Sequence, residues 1–504
     1  MANLKPQAQV SDAEREKGLR LLVSEAIYSG GAAALTTGVI LTAFALHLGA
    51  SNVMIGVLAS APFVAQLLQL PAVILVERLR RRKAIAVLTS IIGRAMLGVM
   101  AVTAFFTGTG PLLVFLAAQF ILCGLGAIGA CAWNAWMRDL APEERLGEVF
   151  ARRTIWLTAI SLILGLAAAL ALDLTGEGSR ARDWVFAAMF GVGCVTGLIS
   201  ACIVAAMPEP MMPPPAGPAR LVELLRKPLR DANFRRLLGF VASWQFAINL
   251  ATPFFTVFIV RQLGFDISFV LVLSVVSQAA NILALRSWGA LSDRFANKSV
   301  LAVAAPAYIL AIVAMIGASQ LEDRTAIAAW LAVLHIAMGA AIAGVTLAST
   351  NIALKLSPPG AATAYVAANA MVTALAAGLA PILGGLLADF FAAREFQLLL
   401  RWSGPRTLLT VSVSLADWDF YFLLAGIFGL YAIHRLSLVE ERGEIEPREM
   451  VNEILGETRR TIRNISSVAG LRAATDLPAS LLRDARARLG RRRARAEQAL
   501  ADEG

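Results

Sequence analysis

Apolar residues run along the chain in long unbroken blocks, not in the one-sided stripe of a soluble helix or the alternation of a half-buried strand. A hydrocarbon core needs roughly 20 apolar residues per helix to cross it. Twelve blocks are long enough, at about 26–48, 52–76, 84–106, 111–137, 154–173, 184–207, 237–260, 267–289, 299–318, 326–350, 364–390 and 418–436. The pattern predicts an all-α membrane protein with twelve transmembrane helices, spans 1 to 12. Between spans 11 and 12, FQLLLRW and RTLLTVSVSL flank a Ser403-Gly404-Pro405 turn, which predicts a β-hairpin over 391–417 on the outer face.

Composition agrees, since only 16% of the 504 residues are charged and the mean hydropathy is +0.68, whereas a soluble domain carries about 25% charged residues. The net charge of +10 sits in short basic clusters between the blocks, not in a continuous stripe, so a nucleic-acid partner is not expected. With the N-terminus inside, the inner segments before the tail hold 23 Lys or Arg and the outer loops 7. The positive-inside rule then puts both termini in the cytoplasm. Arginine outnumbers lysine 39 to 6, which points to a GC-rich bacterial genome and a cell inner membrane. The first 20 residues lack an apolar core and a small-residue cleavage site, so no removable signal peptide is expected. The four cysteines all lie inside apolar blocks without metal-ligand spacing, and no nucleophile–base pair or phosphate-cradling loop appears. Neither a cofactor, a metal nor an enzyme is expected.

The blocks divide into an N-terminal segment 1–25, a six-helix bundle 26–207, a linker 208–236, a second bundle 237–437 and a tail 438–504. The linker has six prolines between Pro208 and Pro218, then a basic helical stretch. The tail holds two amphipathic candidates, 446–472 and 477–498, suited to the anionic inner leaflet or to a protein partner.

Laying the second bundle on the first at an offset of about 216 brings Glu77 onto Asp293, Arg78 onto Arg294, Gly49 onto Gly264, and Asn134 onto Asn351. Matches in one order at nearly one offset indicate two homologous halves, a common transporter plan with the substrate site between them. The chain resembles the major facilitator superfamily, whose loop motif between spans 2 and 3 reads G-x-x-x-D-R-x-G-R-R. Gly289-x-x-x-Asp293-Arg294 matches its first half. In the first bundle the motif keeps Glu77, Arg78, Arg81 and Arg82, with Val73 and Arg80 in place of the two glycines. Superfamily antiporters tend to carry G-P-x-x-G-G in span 5; span 5 has no proline, and only span 11 has a similar run, Ala380-Pro381-x-x-Gly384-Gly385.

The resemblance implies a cavity lined by spans 1, 4, 7 and 10, and each has polar groups. Thr36 and Thr37 lie on span 1, Gln119 on span 4, and His335 on span 10; on span 7, Gln245 and Asn249 share a face beside Trp244. These are the substrate-binding candidates, with interhelical hydrogen bonding as the competing role. Polar residues on spans 8 and 11, among them Gln278 and Asn369, are expected where the halves touch. Arg94 is the one formal charge deep in the membrane, about 16 Å along span 3 from Lys83, and a structural role is favoured over substrate contact. His335 is also the candidate for proton coupling. Carboxylates such as Glu25, Asp173 and Asp389 fall near span ends. Glu77, Arg78, Arg138, Asp139, Asp293 and Arg294 ring the inner mouth as candidate gating charges. Asp293→Asn is expected to slow flux in vesicles while sparing ligand binding; unchanged flux would remove Asp293 from the gate.

Together these features predict a secondary active or facilitative transporter of a small organic solute, with membrane lipids and protons as further partners. The alternatives are a non-transporting assembly factor or sensor on the same scaffold, and a lipid or lysolipid transporter.

Overall fold

The structure, a computed structural model, describes residues 4–141, 146–212, 221–358, 362–392, 394–403 and 408–441. Twelve helices among them are long and apolar enough to cross a membrane: Asp12–His47, Asn52–Leu79, Arg82–Thr103, Thr109–Leu140, Val149–Asp173, Arg180–Ala206, Ala232–Gln262, Ile267–Ser292, Asn297–Ser319, Arg324–Lys355, Ala364–Phe391 and Trp418–Ser437. These are spans 1 to 12 of a multi-pass membrane protein. The tail candidates 446–472 and 477–498 lie outside the described residues.

In the first half, span 3 packs on spans 4 and 6, and span 1 on spans 5 and 6. Span 7 packs on spans 11 and 12, and span 10 on spans 8 and 9, in the second. Phe44 anchors the first core, its ring 4.8 to 5.1 Å from those of Phe115, Phe186 and Phe190. Outward residues such as Ile163, Leu283 and Leu310 stay exposed, as suits a surface surrounded by lipid tails as apolar as leucine itself.

The repeat recurs in the backbone. Gly49 and Gly264, paired by the alignment, both turn with positive φ, +82° and +66°, a conformation open to glycine at no steric cost. Spans 1 and 7 are both broken at equivalent depth. Span 1 is helical over Asp12–Thr36, extended at Thr37, and helical again from Gly38, whose φ is +60°. Span 7 is helical to Ala251, tightens at Thr252–Phe254 around Pro253, and widens to a π-turn at Phe258–Gln262. Pro253 marks the bend of span 7 in the sequence, whereas the apolar block of span 1 gives no sign of its break.

Span 1 also begins earlier than its apolar block. Ser11 and Glu14 form a capping box, with Glu14 N donating to Ser11 Oγ at 3.3 Å and Ser11 N to Glu14 Oε2 at 3.0 Å. Glu25, expected near a helix end, therefore lies well inside a helix that starts at Asp12.

The molecule has two unlike faces. On one, the hairpin face, β1 (Glu395–Ser403) pairs antiparallel with β2 (Leu408–Ala416). On the other, the linker face, each half is clasped by a glutamate that follows its sixth span. Glu209 is 1% exposed and accepts from Arg82 N at 2.8 Å; Trp136 Nε1 donates to Pro208 O at 2.9 Å, and Gln7 pairs with the strip around Pro210. Burial pushes the Glu209 carboxyl above the usual carboxylate range, against the opposing pull of the Lys83 and Arg82 amides and the Arg82 guanidinium. In the second half, Glu441 accepts from Asn297 Nδ2 at 3.0 Å and Lys298 N at 2.8 Å, and pairs with Lys355 at 3.1 Å.

The halves meet mainly along two helix pairs, span 2 with span 11 and span 5 with span 8, with smaller contacts of span 1 on spans 7 and 8 and of span 2 on span 7. Spans 8 and 11 are thus the interface helices. Span 2 is itself divided: Asn52–Gln66 lies along span 11, whereas Gln69–Leu79 packs on spans 3 and 4 of its own half. The close approach rests on glycines. A Cβ on Gly56 would sit 2.8 Å from the Pro381 carbonyl carbon, and one on Gly385 2.6 Å from Val53 Cα. Its neighbour Gly384 faces the other way, 3.0 Å from Leu250 O of span 7. The Gly-Gly pair so lets span 11 lie between spans 2 and 7.

Candidate functional site

On the hairpin face the halves are latched by two aspartates. Asp173, at the end of span 5, accepts from Ile267 N and Ser268 N, both at 3.0 Å. Those amides open span 8 of the other half, whose own N-cap Asp266 makes no side-chain cap bond. Asp389, at the end of span 11, accepts from Val53 N at 3.2 Å, opening span 2 across the interface. The two residues are 216 positions apart, the offset of the repeat. A carboxylate at a helix N-terminus satisfies orphan amides and meets the positive end of the dipole. Arg261 adds a bond to Ala50 O at 3.4 Å.

On the linker face, one of the candidate gating charges is engaged inside its own half. Asp139 bonds Arg82 within the first half. Arg82 is 1% exposed and also donates to Ala135 O at 3.0 Å and Pro210 O at 2.9 Å. Glu77, Arg78 and Arg138 are exposed; Arg294 stacks on the Phe295 ring at 5.0 Å, and the Asp293 side chain lies outside the described residues. Arg80 explains what the motif's second glycine does. It ends span 2 with φ 52° and ψ 34°, a left-handed C-cap that glycine takes most cheaply, and its guanidinium bonds Met212 O.

Between the two faces, a cavity of roughly 400 Å³ opens in the first half, lined by Glu25 and Thr37 of span 1, Arg94 of span 3, Gln119 and Cys123 of span 4 and Ser200 of span 6. Thr37 sits at the break in span 1 and is exposed; Thr36 is buried, its hydroxyl bonded to Ala32 O at 2.7 Å. Glu25 accepts from Arg153 at 3.1 Å and from Ser200 at 3.0 Å. In the second half, Asn249 Nδ2 donates to Gln245 Oε1 at 3.1 Å, joining two of the candidates. Trp244 is 3% exposed, stacks on Phe240 and meets Tyr308 edge-on, so it packs the core instead of facing open space. His335 is buried, with Nδ1 2.8 Å from Leu331 O and Phe255 beside its ring. The structure so brings together Thr36, Thr37, Gln119 and Arg94, adds Glu25 and Ser200, and places Trp244 in the second-half core.

The profile of one protein family spans most of this architecture, matching residues 21–381 and 246–488. The chain belongs to the major facilitator superfamily. It is a membrane transporter and not an enzyme. Its superfamily relatives of known structure include the nucleoside transporter NupG, with TM-score 0.61 and 14% identity over 85% of this chain and 100% of that one. A bacterial homolog of the human lysosomal transporter Spinster, in an inward-facing and occupied conformation, gives TM-score 0.59 and 16% identity over 87% and 100%. The D-xylose-proton symporter gives TM-score 0.59 and 15% identity over 85% and 99%. At these identities the likeness is one of fold. No curated protein matches the chain.

Proposed function

We propose that the protein carries a small organic solute by alternating access, and that the present conformation is the one open toward the linker face. The observation that carries this reading is the one-sided latching: Asp173, Asp389, Gly56 and Gly385 hold the halves together on the hairpin side, while the linker-side part of span 2 packs on spans 3 and 4 of its own bundle. With the basic clusters inside, the linker face is the cytoplasmic one and the state is inward-facing. Gly289 supports a second state, because nothing lies within 4 Å of where its Cβ would be. A glycine there leaves room for a helix to approach when the linker face closes around Arg78, Asp293 and Arg294.

The solute site lies between the broken spans 1 and 7, with Thr37 and Gln119 on one side and the Gln245–Asn249 pair on the other. Broken helices suit such a site, since they free backbone groups at mid-membrane depth. Nucleosides and sugars are the classes that the relatives' names suggest, and a lipid or lysolipid is the alternative that the sequence offered. His335 is the candidate proton carrier, and the tail 438–504 rests on the anionic inner leaflet. In proteoliposomes, a labelled panel of sugars, nucleosides, organic acids and lysophospholipids should yield a transported class. Gln245→Ala or Asn249→Ala should cut its uptake by about tenfold, the worth of a hydrogen bond. Uptake that both variants leave unchanged would remove the second-half pair from the site.

A further inference from the structure

Arg94 lies 12 residues into span 3 from Arg82, about 18 Å along the helix. A cation at that depth is costly unless something neutralises it. Its stem rests on Gly197 of span 6, where a Cβ would come 2.7 Å from Arg94 Cδ, so the glycine makes room for it. Its guanidinium makes no hydrogen bond or ion pair with any described residue. Glu25, the carboxylate that acts on it electrostatically, is already engaged at both oxygens, one by Arg153 and one by Ser200. With Glu25 paired to Arg153, the three groups together leave one net positive charge at the cavity.

A second, independent group in the same cavity is unpaired. Gln119 is 5% exposed and spends its Nε2 on Cys123 Sγ at 3.3 Å, leaving Oε1 buried without a partner. Exchanging the two ends of the amide would only leave the nitrogen unpaired instead. Buried polar groups in folded proteins nearly always find partners. At roughly 400 Å³, the cavity falls in the range of small-molecule sites.

We propose that this first-half cavity is an oxyanion subsite: the carried solute bears a carboxylate or phosphate that pairs with Arg94, and a neighbouring hydroxyl or amine that donates to Gln119. The inference rests on the transport reading and narrows it to organic anions, either water-soluble or presented as a lipid headgroup. Arg94, expected from sequence to be structural, becomes a ligand-binding residue.

The test uses the purified full chain at fixed ionic strength with glycerate, serine, glycerol 3-phosphate and lysophosphatidic acid, and with glycerol and ribose as neutral probes. At saturation one of the anions should raise Tm by about 2 °C, the neutral probes should not, and Arg94→Gln should abolish the shift while Arg94→Lys keeps part of it. A soluble anion would identify a free solute, and a response confined to lysophosphatidic acid a lipid headgroup. Should Arg94→Gln fail to fold, Gln119→Leu should weaken the same response. Cys123 supplies a reading that needs no ligand. With Cys131, Cys194 and Cys202 replaced by serine, an anionic methanethiosulfonate should modify Cys123 at least about tenfold faster than a cationic one, because a positive cavity concentrates anions. Equal rates, together with a Tm response to ribose or glycerol but to no anion, would overturn the subsite and leave the transport reading standing. Failure of every solute to bind or cross would count against transport itself.

Discussion

Replacing Gly56 or Gly385 with leucine should break the seal on the hairpin side and abolish transport. The atoms in the way are backbone, the Pro381 carbonyl and the Asn52–Val53 chain, and backbone inside a helix cannot rotate aside as a side chain can. Overpacking a tight contact typically costs about 1–3 kcal/mol, and here the whole cost falls on the state in which spans 2 and 11 touch. Spin labels at Thr107 and Glu322, exposed residues on opposite halves of the hairpin face, should report a longer distance, and flux should fall below detection. Gly191→Ala is the control, since nothing lies within 4 Å of the added atom. If the leucine variants keep the original distance and the original flux, spans 2 and 11 are not the pivot.

The second large effect is expected from Asp173→Ala with Asp389→Ala. Hydrogen bonds to a charged group are worth about 1.5–3 kcal/mol each in net terms, and these bonds exist only while the hairpin face is shut. Their loss should move the equilibrium toward the opposite opening by at least about tenfold per aspartate. Each single variant should add a longer Thr107–Glu322 population, the double variant should make it dominant, and Asp173→Asn, which still caps an amide, should fall between. An unaltered distance distribution in the double variant would show that the latches hold nothing. Asp173→Ala should have the larger single effect, because Asp173 holds two amides and Asp389 one.

The number of spans, the pairing of two halves and the interface role of spans 8 and 11 were legible because each depends on long apolar runs or on a repeat in the letters. The break at Thr37 was not, because Thr-Thr-Gly inside an apolar block breaks no hydropathy pattern. Glu25 was misplaced for a different reason: hydropathy marks where a helix enters lipid, while Ser11 and Glu14 mark where it begins. The capping box was present in the sequence and would have moved the start of span 1. Asp173 and Asp389 read as ordinary span ends because their partners lie in the other half, 94 and 336 positions away. Only their separation of 216, equal to the repeat, hinted at a shared task. Trp244 was read from its neighbours Gln245 and Asn249, but one step along a helix turns a side chain by about 100°, enough to carry it from the cavity to the Tyr308 core.

The clasp at Glu209 also sets a limit on how far the protein can open. Residues up to Met212 are tied to the first half through Glu209, Gln7, Trp136 and Arg80, and the helix Leu221–Arg230 packs on spans 11 and 7 of the second. The joint between the halves is therefore only the chain from Met212 to Leu221, which cannot stretch beyond about 3.3–3.6 Å per residue, or roughly 30 Å in all. That length is an upper bound on the separation of the two anchors in any state, a leash set by residue count and separate from every residue of the proposed solute site.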